Sequence, residues 1–330
     1  MKKGLVLVLL LALLSTSVLF AQGGDEKAAG PQELRLGHIA APGTAYDNYA
    51  HEFKRQVEEK TNGRYEIIIL GGGQLGDSGP LMEGLQAGTI QFSIITTSDL
   101  NLYMHEIDVL DLPFLFRDWE HVYKFLDSEL YDEIMALGDQ YGFKNLSTMP
   151  RGFRHVTMAN NPVYTPADLE GVKMRVAESP VYIDTFKTLG ANAQAMAWSE
   201  VYTALQQGTV EAHENTIITT RDYNIDEVQN YLSETGHVFA FATMQTSLAW
   251  FNSIPEEDQK IIVESALDAA YKLGLEQEAD EASAKAELIQ EGMKINAVDK
   301  APFVNAMGPV IDKYAKGILK DYYEAIQAIK

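Results

Sequence analysis

Cysteine is absent from the 330-residue chain. Its absence excludes disulfide bonds, thiolate nucleophiles, cysteine-ligated zinc and the attachment of a lipid through cysteine. Stability must therefore come from a buried core. The chain is 46% hydrophobic, and at this length that is enough for two domains with ordinary cores.

The spacing of the histidines does not suit metal binding. None of the seven histidines lies three or four residues from another, so no helical zinc pair exists. The Gly-x-Ser-x-Gly elbow of α/β-hydrolases is also missing. We therefore expect no metal, no cofactor and no catalytic residue, and we do not expect an enzyme. The histidines are His38, His51, His105, His121, His155, His213 and His237.

Basic residues are outnumbered, with 26 Lys and Arg against 47 Asp and Glu and a formal net charge of −21. Loss of Lys2 and Lys3 with a leader would change this to −23. Nucleic acids and anionic lipids are bound largely through Lys and Arg that neutralise phosphates. The composition therefore argues against such partners, and an anionic ligand would need locally placed arginines.

Only one long hydrophobic run is present, from Gly4 to Phe20, after Lys2 and Lys3 and before small and polar residues. This layout is typical of a secretory signal peptide rather than a membrane anchor. We predict a cleaved leader over residues 1–21, an unstructured tail over 22–32, and a periplasmic protein without stable membrane insertion.

A glycine-rich stretch, GGGQLGDSGP at residues 71–80, fits the dinucleotide fingerprint and also resembles the nucleophile loop of trypsin-like proteases. The dinucleotide fingerprint requires an acidic residue that hydrogen-bonds the ribose, and Thr96 and Thr97 occupy that position instead. A protease nucleophile at Ser78 would need its histidine and aspartate upstream in a separate barrel domain, and the chain between the leader and Ser78 is too short for one. We therefore interpret the stretch as a strand-to-helix connection in which Asp77 or Ser78 caps the helix.

Strand-like and helix-like segments alternate along the chain, which predicts an α/β fold with parallel sheets covered by helices. One set of segments runs from Glu33 to Met149, and its last strand reads GFKNLSTM. A second set begins near Pro150 with the strand RHVTMA. From Pro255 an Ala- and Glu-rich segment predicts a helix too long for one lobe to cover, so it should pack across both lobes.

Two arginines of the second set fall in strand-like segments, Arg154 in RHVTMA and Arg175 in VKMRV. A guanidinium in a buried strand needs a carboxylate or a phosphate. An internal salt bridge and a ligand anion satisfy this requirement equally well, and the residues alone leave both open. For a carboxylate ligand, Arg is favoured over Lys because its planar fork donates two parallel hydrogen bonds.

The ordered segments together resemble the solute-binding proteins of tripartite ATP-independent periplasmic (TRAP) transporters, the DctP family. The resemblance covers nearly everything after the leader. It is carried by LRLGHIA, GGQLG, VLDLPFLFRDWEH, GFRHVT, TPADLEGVKMRV, ESPVYIDTFKTLGAN, MAWSEVYTALQQGTV, EAHEN and EVQNYLSETGHVF.

The resemblance implies a two-lobed periplasmic binding protein fold, each lobe a mixed sheet flanked by helices, with a long helix spanning both. Lobe I would comprise 33–151 and about 241–280, and lobe II 152–240 and about 281–330. Hinge closure would enclose a small organic acid, which is delivered to the transporter's membrane subunits. A binding protein for a chemoreceptor or sensor, or a secreted α/β enzyme, remains an alternative.

The resemblance also implies ligand contacts. In the second lobe, Arg175 would be the principal carboxylate clamp, Arg154 a second contact, Asn215 a polar contact and Trp198 an aromatic surface against the ligand. EAHENT stands where the family usually has DGQENP, so the local loop shape differs.

In the first lobe, the residues that would choose the substrate are His38, Asp77 (with Ser78), and Thr96 or Thr97. A sugar acid or other hydroxylated monocarboxylate is the expected ligand. A small dicarboxylate or an oxo acid remains open.

Overall fold

A computed structural model describes residues 30–330, of which residues 32–330 form one compact unit. The predicted leader and most of the predicted tail lie outside the described residues. Gln32, the last residue of that predicted tail, already belongs to the first strand. Within residues 30–330, no helix combines the length and the apolarity needed to cross a bilayer.

The described residues contain ten strands. They are β1 (Gln32–His38), β2 (Tyr65–Leu70), β3 (Phe92–Thr96), β4 (Phe143–Met158), β5 (Lys173–Val176), β6 (Asn192–Ala195), β7 (Ala212–Thr216), β8 (Tyr231–Glu234), β9 (Phe239–Ser247) and β10 (Lys294–Ala297).

Thirteen α-helices accompany these strands in the described part of the chain, together with five short 3-10 turns. The helices are α1 (Ala45–Lys60), α2 (Ser78–Gln86), α3 (Thr97–Leu100), α4 (Trp119–Leu126), α5 (Glu129–Ala136), α6 (Pro180–Thr188), α7 (Val201–Gln206), α8 (Ile217–Asp222), α9 (Leu248–Phe251), α10 (Glu256–Gln290), α11 (Ala301–Ala306), α12 (Gly308–Tyr314) and α13 (Ile318–Ala328). The 3-10 turns cover His105–Asp111, Leu137–Tyr141, Pro166–Leu169, Trp198–Glu200 and Ile225–Glu227.

The strands follow the order β2-β1-β3-β9-β4-β7-β5-β6, with β8 paired to β4 and β10 paired to β8. β1 is parallel to β2 and β3, and β5 is parallel to β6 and β7, whereas β9 and β4 run antiparallel to their neighbours. This is the two-lobed mixed α/β architecture that the family resemblance implies, and the antiparallel pairs of β4 and β9 replace the purely parallel sheets expected from the alternation of segments. β4 connects the lobes, because Phe143–Phe153 pairs with β9 and Arg154–Met158 pairs with β7.

The prediction of two separate strands around Pro150 is wrong, since β4 is one strand of 16 residues. Proline lacks the N–H of a regular ladder and is tolerated in strands at bulges. The register against β9 shifts between Pro150 and Gly152, which makes Arg151 the extra residue of a bulge. Gly152 adopts a φ of 111°, a conformation that side-chain-bearing residues avoid. β9, its partner strand, was not predicted.

The predicted long helix is confirmed as α10, 35 residues that begin directly after Pro255. Its first half packs Ile262 and Ala266 into the core that contains Leu34 and Phe53 of the first lobe. Its second half places Ala284 and Leu288 against residues of α8 and β8 in the second lobe. The helix therefore spans both lobes, because each half buries its apolar face against a different one.

The C-terminal helix α13 packs against the first lobe. His121 Nε2 lies 2.9 Å from the carbonyl oxygen of Ile326, and Tyr322 donates a 3.0 Å hydrogen bond to Glu133. Arg117 donates to the carbonyl oxygens of residues 327 and 329. The lobe boundaries taken from the sequence stay a prediction.

Candidate functional site

A cleft lies between the two lobes, where the ends of several strands meet the first turns of the following helices. It contains about 750 Å³ of space not filled by protein atoms, part of which is open to solvent. Polar side chains gather there because the carboxyl ends of parallel strands share one edge of a sheet. Thr96 ends β3, and Asn215 lies next to the last residue of β7.

Arg175 projects from β5 into the cleft and is only 4% exposed. Its Nε and Nη2 donate to the carbonyl oxygen of Met196 at 3.0 and 2.7 Å, and its guanidinium lies 5.7 Å from the Trp198 ring centre. Within residues 30–330, no carboxylate forms a salt bridge with it. Burial lowers the pKa of Arg175 to about 10 despite the opposing influence of Glu214. A positive charge is thus buried without a countercharge.

Arg154, by contrast, has an internal partner. Its Nε and Nη2 donate to the two carboxylate oxygens of Glu214 at 2.5 and 2.8 Å, and both residues are buried. His237 Nε2 lies 3.1 Å from the same carboxylate. Burial alone would raise the pKa of Glu214, but Arg154 outweighs it and holds that pKa well below its ordinary range. The internal salt bridge left open by the sequence therefore forms at Arg154 but not at Arg175.

Arg151 is a third cleft arginine, which sequence reasoning missed. It lies three residues before Arg154 in β4, a spacing that puts two side chains on opposite faces of a regular strand. The bulge at Arg151 breaks this alternation, so both side chains line the cleft. Arg151 Nη2 donates to Thr219 at 2.8 Å, and its guanidinium lies 4.8 Å from the Tyr46 ring centre. The sequence signal that could have indicated this bulge is Pro-Arg-Gly within a strand-like segment.

Asn215 and Trp198 line the cleft beside the arginines. Asn215 Oδ1 accepts hydrogen bonds from Arg154 Nη1 at 3.2 Å and from the backbone N–H of Thr216 at 2.9 Å. Its Nδ2 forms no hydrogen bond within the described part of the chain and is available as a donor. Trp198 packs edge-on against Tyr223, with ring centres 4.8 Å apart.

Asp77 and Thr96 line the opposite wall. Asp77 precedes α2 without forming the predicted capping hydrogen bond; its Oδ2 instead accepts a 3.0 Å hydrogen bond from Ser199 of the second lobe. Thr96 caps α3 by accepting from the backbone N–H of Asp99 at 3.1 Å. Ser78 also lines the cleft and donates to Asp99 Oδ2 at 2.7 Å. The glycine-rich stretch thus ends in one wall of the cleft.

His38 and Thr97 do not reach the cleft lining. His38 is fully buried, with Nε2 3.4 Å from Asp47 Oδ1, and burial lowers its pKa. A Cβ atom on Gly71 would come within 2.5 Å of the His38 ring, so glycine is needed there to make room for the imidazole. Thr97 turns inward and donates to Asp111 at 2.7 Å. The predicted ligand role of His38 stays a prediction.

Two contacts bridge the cleft between the lobes. One is the Ser199–Asp77 hydrogen bond; the other joins the backbone N–H of Ala41 to the Tyr223 hydroxyl at 3.0 Å. Both connect a first-lobe loop to a second-lobe residue at the cleft. The lobes are therefore joined by hydrogen bonds at the cleft, as in a closed binding protein.

The family model for bacterial extracellular solute-binding protein family 7, DctP, matches residues 36–317. The 2,3-diketo-L-gulonate-binding periplasmic protein of Escherichia coli K12 is 32% identical over 316 residues, which cover 93% of this chain and 92% of that protein.

Solved TRAP periplasmic solute-binding proteins match the fold. The Polaromonas sp. JS666 protein bound to D-erythronate has a TM-score of 0.87 and 32% identity, covering 91% of this chain and 99% of that one. The Sulfurospirillum deleyianum protein with bound succinate has a TM-score of 0.85 and 28% identity, covering 92% and 100%. These neighbours are binding proteins for organic acids. The chain belongs to the DctP family of bacterial extracellular solute-binding proteins, the solute-binding components of TRAP transporters.

Proposed function

We propose that this protein captures an organic acid in the periplasm, by closure of its two lobes, and delivers it to the membrane component of a TRAP transporter. The observation that carries the proposal is Arg175, a buried guanidinium in the interlobe cleft with no carboxylate partner in residues 30–330. Burial of an unpaired charge is costly, and a ligand carboxylate removes that cost by forming the missing ion pair.

The hydrogen-bond donors left free around Arg175 suit a carboxylate. Both N–H groups of Arg175 Nη1 are free to donate to a ligand, because the contact with the Met196 carbonyl uses Nε and Nη2. Arg154 retains one N–H of Nη1 beyond its bonds to Glu214 and Asn215, and Asn215 offers Nδ2. We infer that Arg175 is the principal clamp, that Arg154 and Asn215 are secondary contacts, and that Trp198 packs on the ligand.

The far end of the ligand would face Asp77 and Thr96, whose oxygens accept hydrogen bonds. We infer a sugar acid or other hydroxylated monocarboxylate, because hydroxyl groups donate to such oxygens. The relative named for 2,3-diketo-L-gulonate and the neighbour bound to D-erythronate support this class; the succinate-bound neighbour supports a dicarboxylate as the second candidate.

Closure couples binding to delivery. A ligand held by Arg175 on one lobe and Asp77 on the other contacts both only when they are closed, so it stabilises the closed state by its differential affinity. The Ser199–Asp77 and Ala41–Tyr223 contacts would hold the same state. The membrane component then has a closed surface to recognise.

A thermal-shift screen of organic acids tests the proposal, because a ligand that binds the folded state raises the melting temperature. We expect an acid of the proposed class to do so and Arg175→Ala to abolish the response, at a cost of about 2–5 kcal/mol, or roughly thirtyfold or more in affinity. Arg55→Ala, an exposed arginine of α1, is the matched control and should respond like the wild type. A response that survives Arg175→Ala contradicts the proposal.

A further inference from the structure

Three carboxylates that line the cleft have no positively charged partner in the described part of the chain. Asp77 precedes α2, Asp99 lies in the first turn of α3, and Glu178 follows β5. Within residues 30–330, none of the three forms a salt bridge with a lysine or arginine side chain. These three residues are called the acidic rim below. They stand near the clamp arginine without neutralising it through direct contact.

The acidic rim has spare acceptor capacity. Asp77 receives one hydrogen bond at Oδ2, from Ser199 at 3.0 Å, and Asp99 receives one side-chain hydrogen bond at Oδ2, from Ser78 at 2.7 Å. Their Oδ1 atoms accept no hydrogen bond within the described residues. A carboxylate accepts at both oxygens, so the rim presents lone pairs that only donors can satisfy.

The three carboxylates also act on one another. Burial, followed by the charges of Asp99 and Asp77, raises the pKa of Glu178. The negative charges of Asp99 and Glu178 raise the pKa of Arg175, whereas burial lowers it. The acidic rim and Arg175 line the same cleft, so one small ligand can contact both.

We propose that Asp77, Asp99 and Glu178 form a charge filter that admits a monocarboxylate with hydroxyl donors at its far end and excludes the corresponding dicarboxylate. The inference rests on the proposed function, because Arg175 must hold the first carboxylate. Placing like charges side by side in a binding site is strongly unfavourable, so a second ligand carboxylate beside the rim is repelled. Hydroxyl groups at the same position satisfy the free carboxylate oxygens. Specificity thus comes from repulsion of the wrong ligand as well as attraction of the right one.

Matched ligand pairs test the filter by titration calorimetry on the whole mature protein. D-Erythronate and meso-tartrate differ only at C4, and D-gluconate and D-glucarate differ only at C6, where a hydroxymethyl group is replaced by a carboxylate. In whichever pair is bound, the monocarboxylate should bind at least about tenfold tighter. Asp77→Asn/Asp99→Asn/Glu178→Gln should reduce that ratio about tenfold or more, whereas Asp312→Asn, an exposed acid of α12, should leave it unchanged.

The outcomes separate the two proposals. If the dicarboxylate binds as tightly as its monocarboxylate partner, and Arg175→Ala abolishes both, the charge filter is refuted and the carboxylate clamp stands. If no acid binds, or binding survives Arg175→Ala, the proposed function fails and the filter fails with it. The wild-type ratio decides the question even where the triple variant does not fold.

Discussion

Arg154 and Glu214 form a bidentate ion pair inside the second lobe, with nitrogen–oxygen distances of 2.5 and 2.8 Å. Twenty-one residues further along the chain, Arg175 enters the same cleft, and its only acceptor within residues 30–330 is a backbone carbonyl. The first arginine is neutralised by the protein and positions Asn215 through Nη1. The second has no carboxylate partner within residues 30–330, so the protein neutralises one cleft guanidinium and leaves the other available to a ligand.

Replacement of Glu214 by Gln should destabilise the protein by about 3–5 kcal/mol, because it leaves Arg154 buried without its countercharge. The pKa of Glu214 is held below its ordinary value, so the stabilisation is present above about pH 4.5 and is lost as pH falls below it. Urea unfolding at pH 7 and pH 3 measures both effects. The difference between wild type and variant should shrink at pH 3; an equal difference at both pH values contradicts the assignment.

Replacement of Arg175 by Met should raise the stability of the ligand-free protein by about 1 kcal/mol or more, because a buried charge without a partner is removed. The folded-state pKa of about 10 lies below the ordinary 12.5, so the penalty is present at neutral pH and fades as pH rises above about 10. Chemical denaturation at pH 7 gives the measurement. A variant that loses ligand binding and also loses stability would contradict this reading, since Arg175 would then support the fold.

The long helix and the lobes were predictable because hydrophobic periodicity and helix-start signals act over neighbouring residues. β4 was not, since Pro150 normally ends a strand and only the partner strand β9 shows that a bulge accommodates it. The C-terminal helix gave no sequence signal for its contacts with the first lobe, whose residues lie about two hundred positions away.

At the site, an arginine in a buried strand predicted a need for an anion, but not which anion. Glu214 lies 60 residues from Arg154, and pairing of β4 with β7 alone brings them together. Arg151, Asp99 and Glu178 were missed because a bulge, a helix first turn and a strand end aim them into the cleft. The interior position of His38 could not be read from the sequence because it depends on Asp47 and Gly71 packing around it.

Asp108 should lower stability at neutral pH. Burial raises its pKa to about 6 from an ordinary 3.8, so the folded protein holds the proton more tightly and stability falls as pH rises from about 4 through 6. Asp108→Asn keeps an acceptor for Asn101 Nδ2, which lies 2.9 Å from Oδ1. We expect a gain on the order of 1–3 kcal/mol in urea unfolding at pH 8 and a much smaller one at pH 4.5. Asp312→Asn, an exposed acid, serves as the control; the same gain at both pH values contradicts the prediction.

Gly274 should resist substitution although it lies inside α10. Replacing a helical glycine with alanine normally stabilises by about 1 kcal/mol, but a Cβ here would lie 2.6 Å from Pro150 Cγ, where the helix crosses β4. Gly274→Ala should therefore destabilise by about 1–3 kcal/mol through overpacking. Gly308→Ala, in α12 with no atom within 4 Å of the added Cβ, should not. Thermal unfolding of both variants gives the comparison, and equal behaviour would remove the close approach as an explanation.

Trp198 should report ligand binding by its fluorescence, because its indole lies 5.7 Å from the Arg175 guanidinium and lines the cleft. A carboxylate that pairs with Arg175 changes the charge beside the ring, whereas Trp250 packs against Phe92 in the first-lobe core. The organic acid with the largest thermal shift should alter the emission of the wild type and of Trp250→Phe, but not that of Trp198→Phe. Trp198→Phe should also weaken binding by about 0.5–2 kcal/mol, because phenylalanine interacts less strongly with the Arg175 guanidinium that holds the ligand carboxylate. A full emission change in Trp198→Phe would place the ligand away from Arg175.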